Sequence, residues 1–290
     1  MSATDDDVGQ TQCFSNGRTL SPMRELVTSA ADERIAVFLG LRDQAARKLR
    51  EQPGGDMSGF FIAEGDLVIE RGVAHGYELQ SVLIGERRTK PLPDALSEHT
   101  VYAANDSVLT EVTGRPELRD PIGCFLRPEP TSVTSLLAKH STTATFAVLE
   151  NVNNPNNLGV IMRNAAALGV DAVLLDPTCG DPLYRRAIRS SMGQVFALPH
   201  ARLDAFPDGL AVLHEAGVET VALSPSASTD LHDFERPDKV AMLLGAEGPG
   251  LTDATMDACT HKARISMSNN VDSLNVANAA AIAFHHIGRS

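Results

Sequence analysis

Three short loops in the second half of the chain carry the polar side chains that could take part in catalysis. The first begins at NNPNNLGVIMRN, where Asn157 precedes a helical apolar pattern and Arg163 follows six residues later. Arg163 lies off the apolar face, with the small residues Gly159 and Ala167 four positions away on either side. This arrangement leaves room for a large ligand beside the guanidinium. It is equally typical of an Asn-capped helix with a solvated arginine.

The second loop, LLGAEGPGL, covers residues 243–251 and follows a run typical of a buried strand. Its glycines let the backbone approach a ligand or adopt positive φ, and Glu247 supplies one carboxylate. The loop lacks the GxGxxG spacing of a dinucleotide-binding turn and the GK[ST] of a phosphate-binding loop, which disfavours a dehydrogenase. An ordinary strand-to-helix turn remains an alternative.

The third loop, ISMSNNVDSLNV, covers residues 265–276 and leads into an alanine-rich helical run. Ser273 is predicted to cap that helix, which is expected over residues 273–287. No G-x-S-x-G turn surrounds Ser273, so a hydrolase nucleophile is disfavoured.

The elements around these loops alternate between strand and helix patterns. Strands are predicted near 145–149, 172–175, 220–223, 240–244 and 263–265, with helices between them and an extended run at 195–198. This alternation predicts an α/β fold with a mostly parallel sheet covered on both faces. Ligands of such sheets bind at the carboxyl ends of the strands, where the three loops lie.

The first half shows a separate alternation. A helix is predicted over 30–51, and short strands lie near 60–63, 80–84, 101–103 and 124–126. We therefore expect a disordered tail over 1–25, a small α/β domain over 26–128, a linker over 129–143 and a second domain over 144–290.

Composition limits the class of protein. The 290 residues contain 43% hydrophobic residues, enough for a sizeable core, yet no run long enough to cross a membrane. The acidic start is unlike a signal peptide, so a cytoplasmic protein is expected. The four cysteines form no CxxC motif and no cluster with zinc-ligand spacing, which predicts reduced thiols and no metal site.

The net charge of −12 disfavours broad nucleic-acid binding, although Arg and Lys cluster at 185–189 and 87–90.

The order and separation of the three loops resemble those of the SpoU (TrmH) family of the SPOUT superfamily, over about residues 145–288. These proteins are S-adenosylmethionine-dependent RNA ribose 2′-O-methyltransferases. The segment DPLYRRAIRSSMGQVFALP also looks like that family. The N-terminal half, with FFIAEG and PIGCFLRP, more loosely resembles the ribosomal-protein-like substrate-binding domain of many members.

The resemblance implies a deep trefoil knot, a homodimer with the site near the subunit interface, and an RNA substrate. Matching positions imply a catalytic set of Asn157, Arg163, Glu247, Ser273 and Asn275. They imply cofactor contacts from Leu244, Gly245, Ala246, Glu247, Gly248, Gly250, Ile265, Met267, Leu274 and Asn275. RNA phosphate contacts would come from Arg185, Arg186 and Arg189.

Arg163 is better suited to binding the ribose or its phosphate than to acting as a base, because its pKa is very high.

Two positions depart from the family pattern: Ser266 replaces a common proline before Met267, and Asn278 follows Ala277 where a small or apolar residue is usual. Ribosomal RNA is the favoured substrate. Alternatives are a transfer-RNA ribose methyltransferase, a base methyltransferase and a catalytically silent RNA-binding protein.

Overall fold

The computed structural model describes residues 24–52, 54–269 and 271–288. The tail predicted over 1–25 therefore lies outside the described residues, except that Arg24 and Glu25 belong to the first strand. Within the described ranges, no helix is long and apolar enough to cross a membrane.

The N-terminal half forms a five-stranded mixed sheet in the order β1-β4-β3-β5-β2. The helix predicted over 30–51 is instead a 3-10 helix, Glu33–Phe38, and a separate α-helix, because Gly40 adopts a φ of +76° between them. The strands are β1 (Arg24–Val27), β2 (Phe60–Glu64), β3 (Leu79–Gly85), β4 (Val101–Ala104) and β5 (Ile122–Leu126), and the helices are α1 (Gln44–Glu51), α2 (Asp66–Ala74) and α3 (Asp106–Thr113).

The C-terminal half forms a seven-stranded sheet in the order β10-β12-β9-β11-β6-β7-β8. Every neighbouring pair is parallel, as the alternating pattern predicts. The central strands are apolar along their length because helices cover both faces. The strands are β6 (Ala144–Leu149), β7 (Ala172–Leu175), β8 (His200–Arg202), β9 (Glu219–Leu223), β10 (Thr229–Asp230), β11 (Lys239–Leu244) and β12 (His261–Arg264).

In the described part of this half, six α-helices accompany the sheet: α4 (Val133–Ala138), α5 (Pro155–Ala167), α6 (Arg185–Ser190), α7 (Ala211–Glu215), α8 (Asp253–Ala258) and α9 (Val276–Ile287). Helix α4 lies inside the predicted linker. Ser132 caps this helix, and its buried residues Val133, Leu136 and Leu137 pack against the second sheet. The part of the predicted linker that has no regular structure is therefore shorter than expected. The run expected to be extended at 195–198 is instead a 3-10 helix, Gln194–Ala197, because a short apolar run has no diagnostic period.

The two halves share one apolar cluster. Phe61 stacks on Phe125 with their ring centroids 5.2 Å apart, and the ring centroid of Tyr77 lies 4.8 Å from that of Phe196 in the second half. Arg127 adds an ion pair to Asp181 at 2.8 Å across the same boundary. This packing fixes the small sheet against the elements around α6.

Two cysteines lie inside the core. Cys124 and Cys179 are free and buried, and burial raises the pKa of each thiol to about 12. Cys259 is free and half-buried, with its pKa raised to about 11 by the same cause. The prediction of reduced thiols agrees with these three residues, whereas Cys13 lies outside the described residues.

Candidate functional site

The N-terminus of α5 carries the first candidate loop. The cap is Asn154, whose side chain accepts from the backbone N–H groups of Asn156 at 2.9 Å and Asn157 at 3.4 Å. Pro155 occupies the first helical turn, where a missing N–H costs nothing. The Asn157 side chain therefore does not cap the helix and projects from its first turn.

The loop after β11 folds back on itself. Ala246 and Gly250 form an isolated bridge, and the Gly250 N–H donates to the Ala246 carbonyl at 3.0 Å. A Cβ atom on Gly245 would lie 2.1 Å from the Gly250 carbonyl carbon, so this position accepts glycine alone. Gly248 and Gly250 adopt φ values of +90° and +73°. The glycines thus serve a tight turn that presents Glu247 outward.

Asn275 joins the three loops. Its side-chain amide donates to Glu247 Oε1 at 2.6 Å and to Asn157 Oδ1 at 3.2 Å. Its Oδ1 accepts from the Ala277 backbone N–H at 2.9 Å, which caps α9. Three of the five expected catalytic residues therefore meet in one network.

The expected role of Ser273 as the cap of the last helix is wrong. Helix α9 begins at Val276, three residues later, with Asn275 as its cap. Ser273 is exposed and precedes the helix, in the irregular segment after β12. Asn275 is the cap because its side chain can accept from the Ala277 N–H and donate to Glu247 at the same time.

A cavity of about 280 Å³ lies at the carboxyl ends of β6 and β11, beside this network. The mixture of amides and one carboxylate suits a ligand that is polar and carries positive charge. Its lining is formed by Asn151, Val152, Asn153, Asn154, Asn157, Ala246, Glu247, Pro249 and Val276.

Two buried carboxylates behind the cavity were absent from the sequence prediction. Glu150, at the end of β6, accepts from Thr252 Oγ1 at 2.8 Å and from Thr255 Oγ1 at 3.0 Å, which anchors the far side of the glycine turn. Asp176, after β7, accepts from the Asn151 N–H at 3.0 Å. Each directly follows a buried strand, which is the only sequence signal that could have identified them.

The space expected beside Arg163 is partly filled. A Cβ atom on Gly159 would lie 2.3 Å from the Ala187 carbonyl oxygen, so this glycine admits helix α6 rather than a ligand. Arg163 is exposed and makes no hydrogen bond or ion pair with the described residues. It does not line the cavity, and Asn157 is bonded to Asn275.

The expected cofactor contacts fall into two groups. Leu244, Gly245, Ala246, Glu247, Gly248 and Gly250 surround or form the turn after β11. Ile265 and Met267 follow β12, which β9 separates from β11 in the sheet. Neither they nor the exposed Leu274 lines the cavity. Since adjacent strands lie about 4.8 Å apart, a ligand touching both groups must cross the end of β9, where Leu223 lies.

The three arginines of α6 have different surroundings. Arg185 donates to Glu64 Oε1 and to the Leu41 carbonyl, each at 2.8 Å, so it holds the two halves together. These two bonds occupy its guanidinium within the chain, and its role in RNA binding stays a prediction. Arg186 is exposed, and Arg189 is 69% exposed with only a 3.9 Å contact to Glu64.

The second basic cluster, around 87–90, is mostly paired. Arg88 and Lys90 both donate to Asp66 at the start of α2. Among the described residues, no group of three or more His, Cys, Asp or Glu could hold a metal ion.

Comparisons with known proteins cover both halves of the chain. A model of the SpoU rRNA Methylase family matches residues 144–285. An uncharacterized tRNA/rRNA methyltransferase of Mycobacterium bovis is 41% identical over 241 residues, covering 78% of this chain and 82% of that protein. The 23S rRNA (guanosine-2'-O-)-methyltransferase RlmB of Vibrio parahaemolyticus is 30% identical over 150 residues, covering 52% of this chain and 60% of that protein.

The solved structure of an AdoMet-bound rRNA methyltransferase from Sinorhizobium meliloti has a similar fold. It is 27% identical to this chain with a TM-score of 0.73, and the match covers 91% of this chain and 97% of that one. The coverage shows that the similarity extends beyond the seven-stranded sheet into the N-terminal half.

Proposed function

Because the chain belongs to the SpoU rRNA methylase family, we propose that this RNA methyltransferase transfers a methyl group from S-adenosylmethionine to a ribose 2′-hydroxyl. The observation that carries the proposal is the Asn157–Asn275–Glu247 network beside a polar cavity at the carboxyl edge of the sheet. The Vibrio relative, named as a guanosine 2'-O-methyltransferase of 23S rRNA, supports ribose and ribosomal RNA as the target.

The residues of the site fit S-adenosylmethionine. The turn at Gly245 is so closely packed that a side chain there would overlap the Gly250 backbone, and Ala246 and Glu247 of the same turn line the cavity. Glu247 places a carboxylate beside a ligand that carries a sulfonium and an ammonium charge. We assign the polar end of the cofactor to the cavity and its adenine to the apolar positions Ile265, Met267 and Leu274.

The cofactor supplies a methyl carbon on a sulfonium, which is already a good leaving group. The protein therefore has to orient the two reactants and exclude side reactions, and correct orientation alone can lower a barrier by about 7–11 kcal/mol. Asn275 fixes the Glu247 carboxylate and the Asn157 amide in one arrangement, so no reorganisation is needed when substrate arrives.

Arg163 is proposed to bind the ribose or its phosphate and to stabilise the oxygen as it loses its proton. Its fixed fork of donors suits a phosphate or a developing oxyanion, whereas its very high pKa disfavours a role as base. Ser273, exposed on the segment before α9, is proposed to contact the same substrate.

We also propose the homodimer and the C-terminal knot of the family. Two observations support the dimer: the exposed Arg163 lies outside the cavity of its own chain, and Ile282 of α9, a helix packed against α5, is an apolar side chain that is 43% exposed. For the knot, the support is the contact of the segment before α9 with the turn after β11.

The N-terminal half is proposed to bind the RNA substrate together with Arg186 and Arg189. With a net charge of −12, this contact would be local and sensitive to salt. A transfer-RNA substrate is the second candidate, because the Mycobacterium relative is named for both kinds of RNA.

Calorimetry with S-adenosylmethionine and mapping of ribose methylation in a deletion strain test the proposal. We expect cofactor binding and the loss of one 2′-O-methyl site from ribosomal RNA. If the missing site lay in transfer RNA, the substrate assignment would change. Absence of both binding and any missing site would favour a catalytically silent RNA-binding protein.

A further inference from the structure

We propose that Asp230 is a positioning residue for the methyl-transfer site, because it holds the start of the segment 265–275 through a hydrogen bond from Ser266. The inference rests on the proposed function, since this segment forms one wall of the proposed cofactor site. This bond between two side chains restrains the segment in the way that a proline at position 266 would restrain it.

The segment between β12 and α9 is long and irregular. It runs from Ile265 to Asn275 with no helix or strand in its described part, and most of its side chains are exposed. Its far end is fixed where Asn275 meets Glu247 and Asn157. Its near end leaves β12 at Arg264, and Ser266 and Met267 lie beyond the strand ladder. A further contact is therefore needed to keep them at a constant distance from the turn after β11.

Asp230 is a rigid support for that near end. It pairs with Arg264 in the parallel ladder between β10 and β12. One carboxylate oxygen, Oδ1, accepts from the His232 backbone N–H at 2.9 Å, and the adjacent Leu231 is buried in the core. The side chain is therefore held by its own turn before it binds anything else.

The second carboxylate oxygen of Asp230 accepts a hydrogen bond from the Ser266 hydroxyl. This hydroxyl, followed by the His232 N–H, lowers the pKa of Asp230 below its ordinary value. An aspartate is ionised at neutral pH even without this shift, so the bond is a charge-assisted one. One hydrogen bond thus connects the outer strand of the sheet to the residue between Ile265 and Met267.

Position 266 is where the resemblance described above has proline. Proline would fix φ at its own position and restrict the residue before it, here Ile265. The Ser266 backbone N–H donates no hydrogen bond within the described ranges, so a proline would sacrifice none. A serine by itself restricts neither residue, and the Asp230 carboxylate supplies the missing restraint.

The test compares Asp230→Ala, Ser266→Ala, Ser266→Pro and the double variant Asp230→Ala/Ser266→Pro. Asp233→Ala is the matched control, because Asp233 is an exposed carboxylate of the same turn that makes no hydrogen bond to the described residues of the segment. The dissociation constant of S-adenosylmethionine is measured by calorimetry. Hydrogen–deuterium exchange of residues 265–275 is measured without cofactor.

Loss of one charge-assisted hydrogen bond should weaken cofactor binding by roughly threefold to tenfold in Asp230→Ala and in Ser266→Ala. Exchange of 265–275 should become faster in both variants, and the KM for the cofactor should rise while kcat changes little. Ser266→Pro, the double variant and Asp233→Ala should bind like the unmodified protein.

The inference is overturned if Asp230→Ala and Ser266→Ala bind the cofactor normally, or if Ser266→Pro fails to restore binding to Asp230→Ala. Ser266→Ala leaves the capped turn of Asp230 intact, so a folding defect in Asp230→Ala cannot mimic the expected result. If the unmodified protein bound no S-adenosylmethionine, the proposed function would fail first and this inference with it.

Discussion

Asn275 donates its side-chain amide to Glu247 at 2.6 Å, although 28 positions separate the two residues in the chain. The same amide reaches Asn157, 118 positions away, at 3.2 Å. Because one side chain also caps α9, the start of the last helix and the shape of the polar cavity depend on each other.

Asn275→Ala should separate these two roles. We expect a loss of about 1 kcal/mol of stability from the missing cap and a fall in methyl transfer of at least about tenfold from the missing network. Asn275→Ser should recover the stability but not the activity, because a serine can cap the helix and is too short to reach Glu247. Thermal unfolding and single-turnover methyl transfer measure the two effects; equal recovery of both would contradict the network's role.

Arg163→Ala should lower methyl transfer by roughly a hundredfold while cofactor binding persists, since Arg163 does not line the cavity. Arg163→Lys keeps the charge and loses the planar fork, so only partial activity should return. Methyl transfer and calorimetry are measured on the same preparations. Unchanged methyl transfer in Arg163→Ala would remove this residue from the mechanism.

Gly245→Ala should destabilise the turn after β11. Its Cβ atom would lie 2.1 Å from the Gly250 carbonyl carbon, and such overpacking costs about 1–3 kcal/mol. Gly59→Ala is the control, because nothing lies within 4 Å of a Cβ atom there. The free energy of unfolding, measured by chemical denaturation, and the affinity for the cofactor should both decline in Gly245→Ala and stay unchanged in Gly59→Ala. Normal affinity in a folded Gly245→Ala protein would show that the turn is not part of the cofactor site.

Arg186→Ala/Arg189→Ala should weaken RNA binding without affecting the cofactor. Removing two phosphate contacts should reduce the slope of log K against log salt by roughly 1.4–1.8. Arg185→Ala is the contrasting variant, because its guanidinium is bonded to Glu64 and Leu41. It should lower the free energy of unfolding by about 1–3 kcal/mol. An unchanged salt slope in the double variant would exclude both arginines from the RNA contact.

The buried thiols should resist alkylation in the folded protein. With a pKa of about 12, Cys124 and Cys179 are thiolates in roughly one molecule in ten thousand at pH 8. In a Cys13→Ser background, iodoacetamide should label them at least a hundredfold more slowly than in urea. Equal rates in folded and unfolded protein would contradict their burial.

These thiol pKa values also predict a pH dependence of stability. The folded-state pKa is raised above the ordinary value of 9.0, so the unfolded chain loses these protons first as pH increases. The stabilising contribution is complete below about pH 9 and declines as pH rises towards 12. Urea unfolding at pH 8 and pH 10.5, repeated with Cys124→Ala, measures it; an identical pH dependence in that variant would remove Cys124 as a cause.

The sequence by itself determined the alternating elements and the order of the three loops. Apolar runs such as those of β6 and β11 predict buried parallel strands, because only a sheet covered on both faces makes a strand apolar throughout. The carboxyl ends of β6, β11 and β12 then predict where Asn157, Glu247 and Asn275 lie. Motif spacing, together with the resemblance it supports, predicted one site for these three residues, and the structure joins their side chains in one network.

Tertiary structure decided what each side chain touches. Periodicity describes one element at a time, so it could not show that α6 fills the space at Gly159 or that Arg185 pairs with Glu64. It also could not show that the cap of α9 is Asn275 rather than Ser273. These outcomes depend on contacts between residues far apart in the chain, whose energies no local pattern encodes. The bond from Ser266 to Asp230 belongs to the same class, because it exists only where β10 pairs with β12.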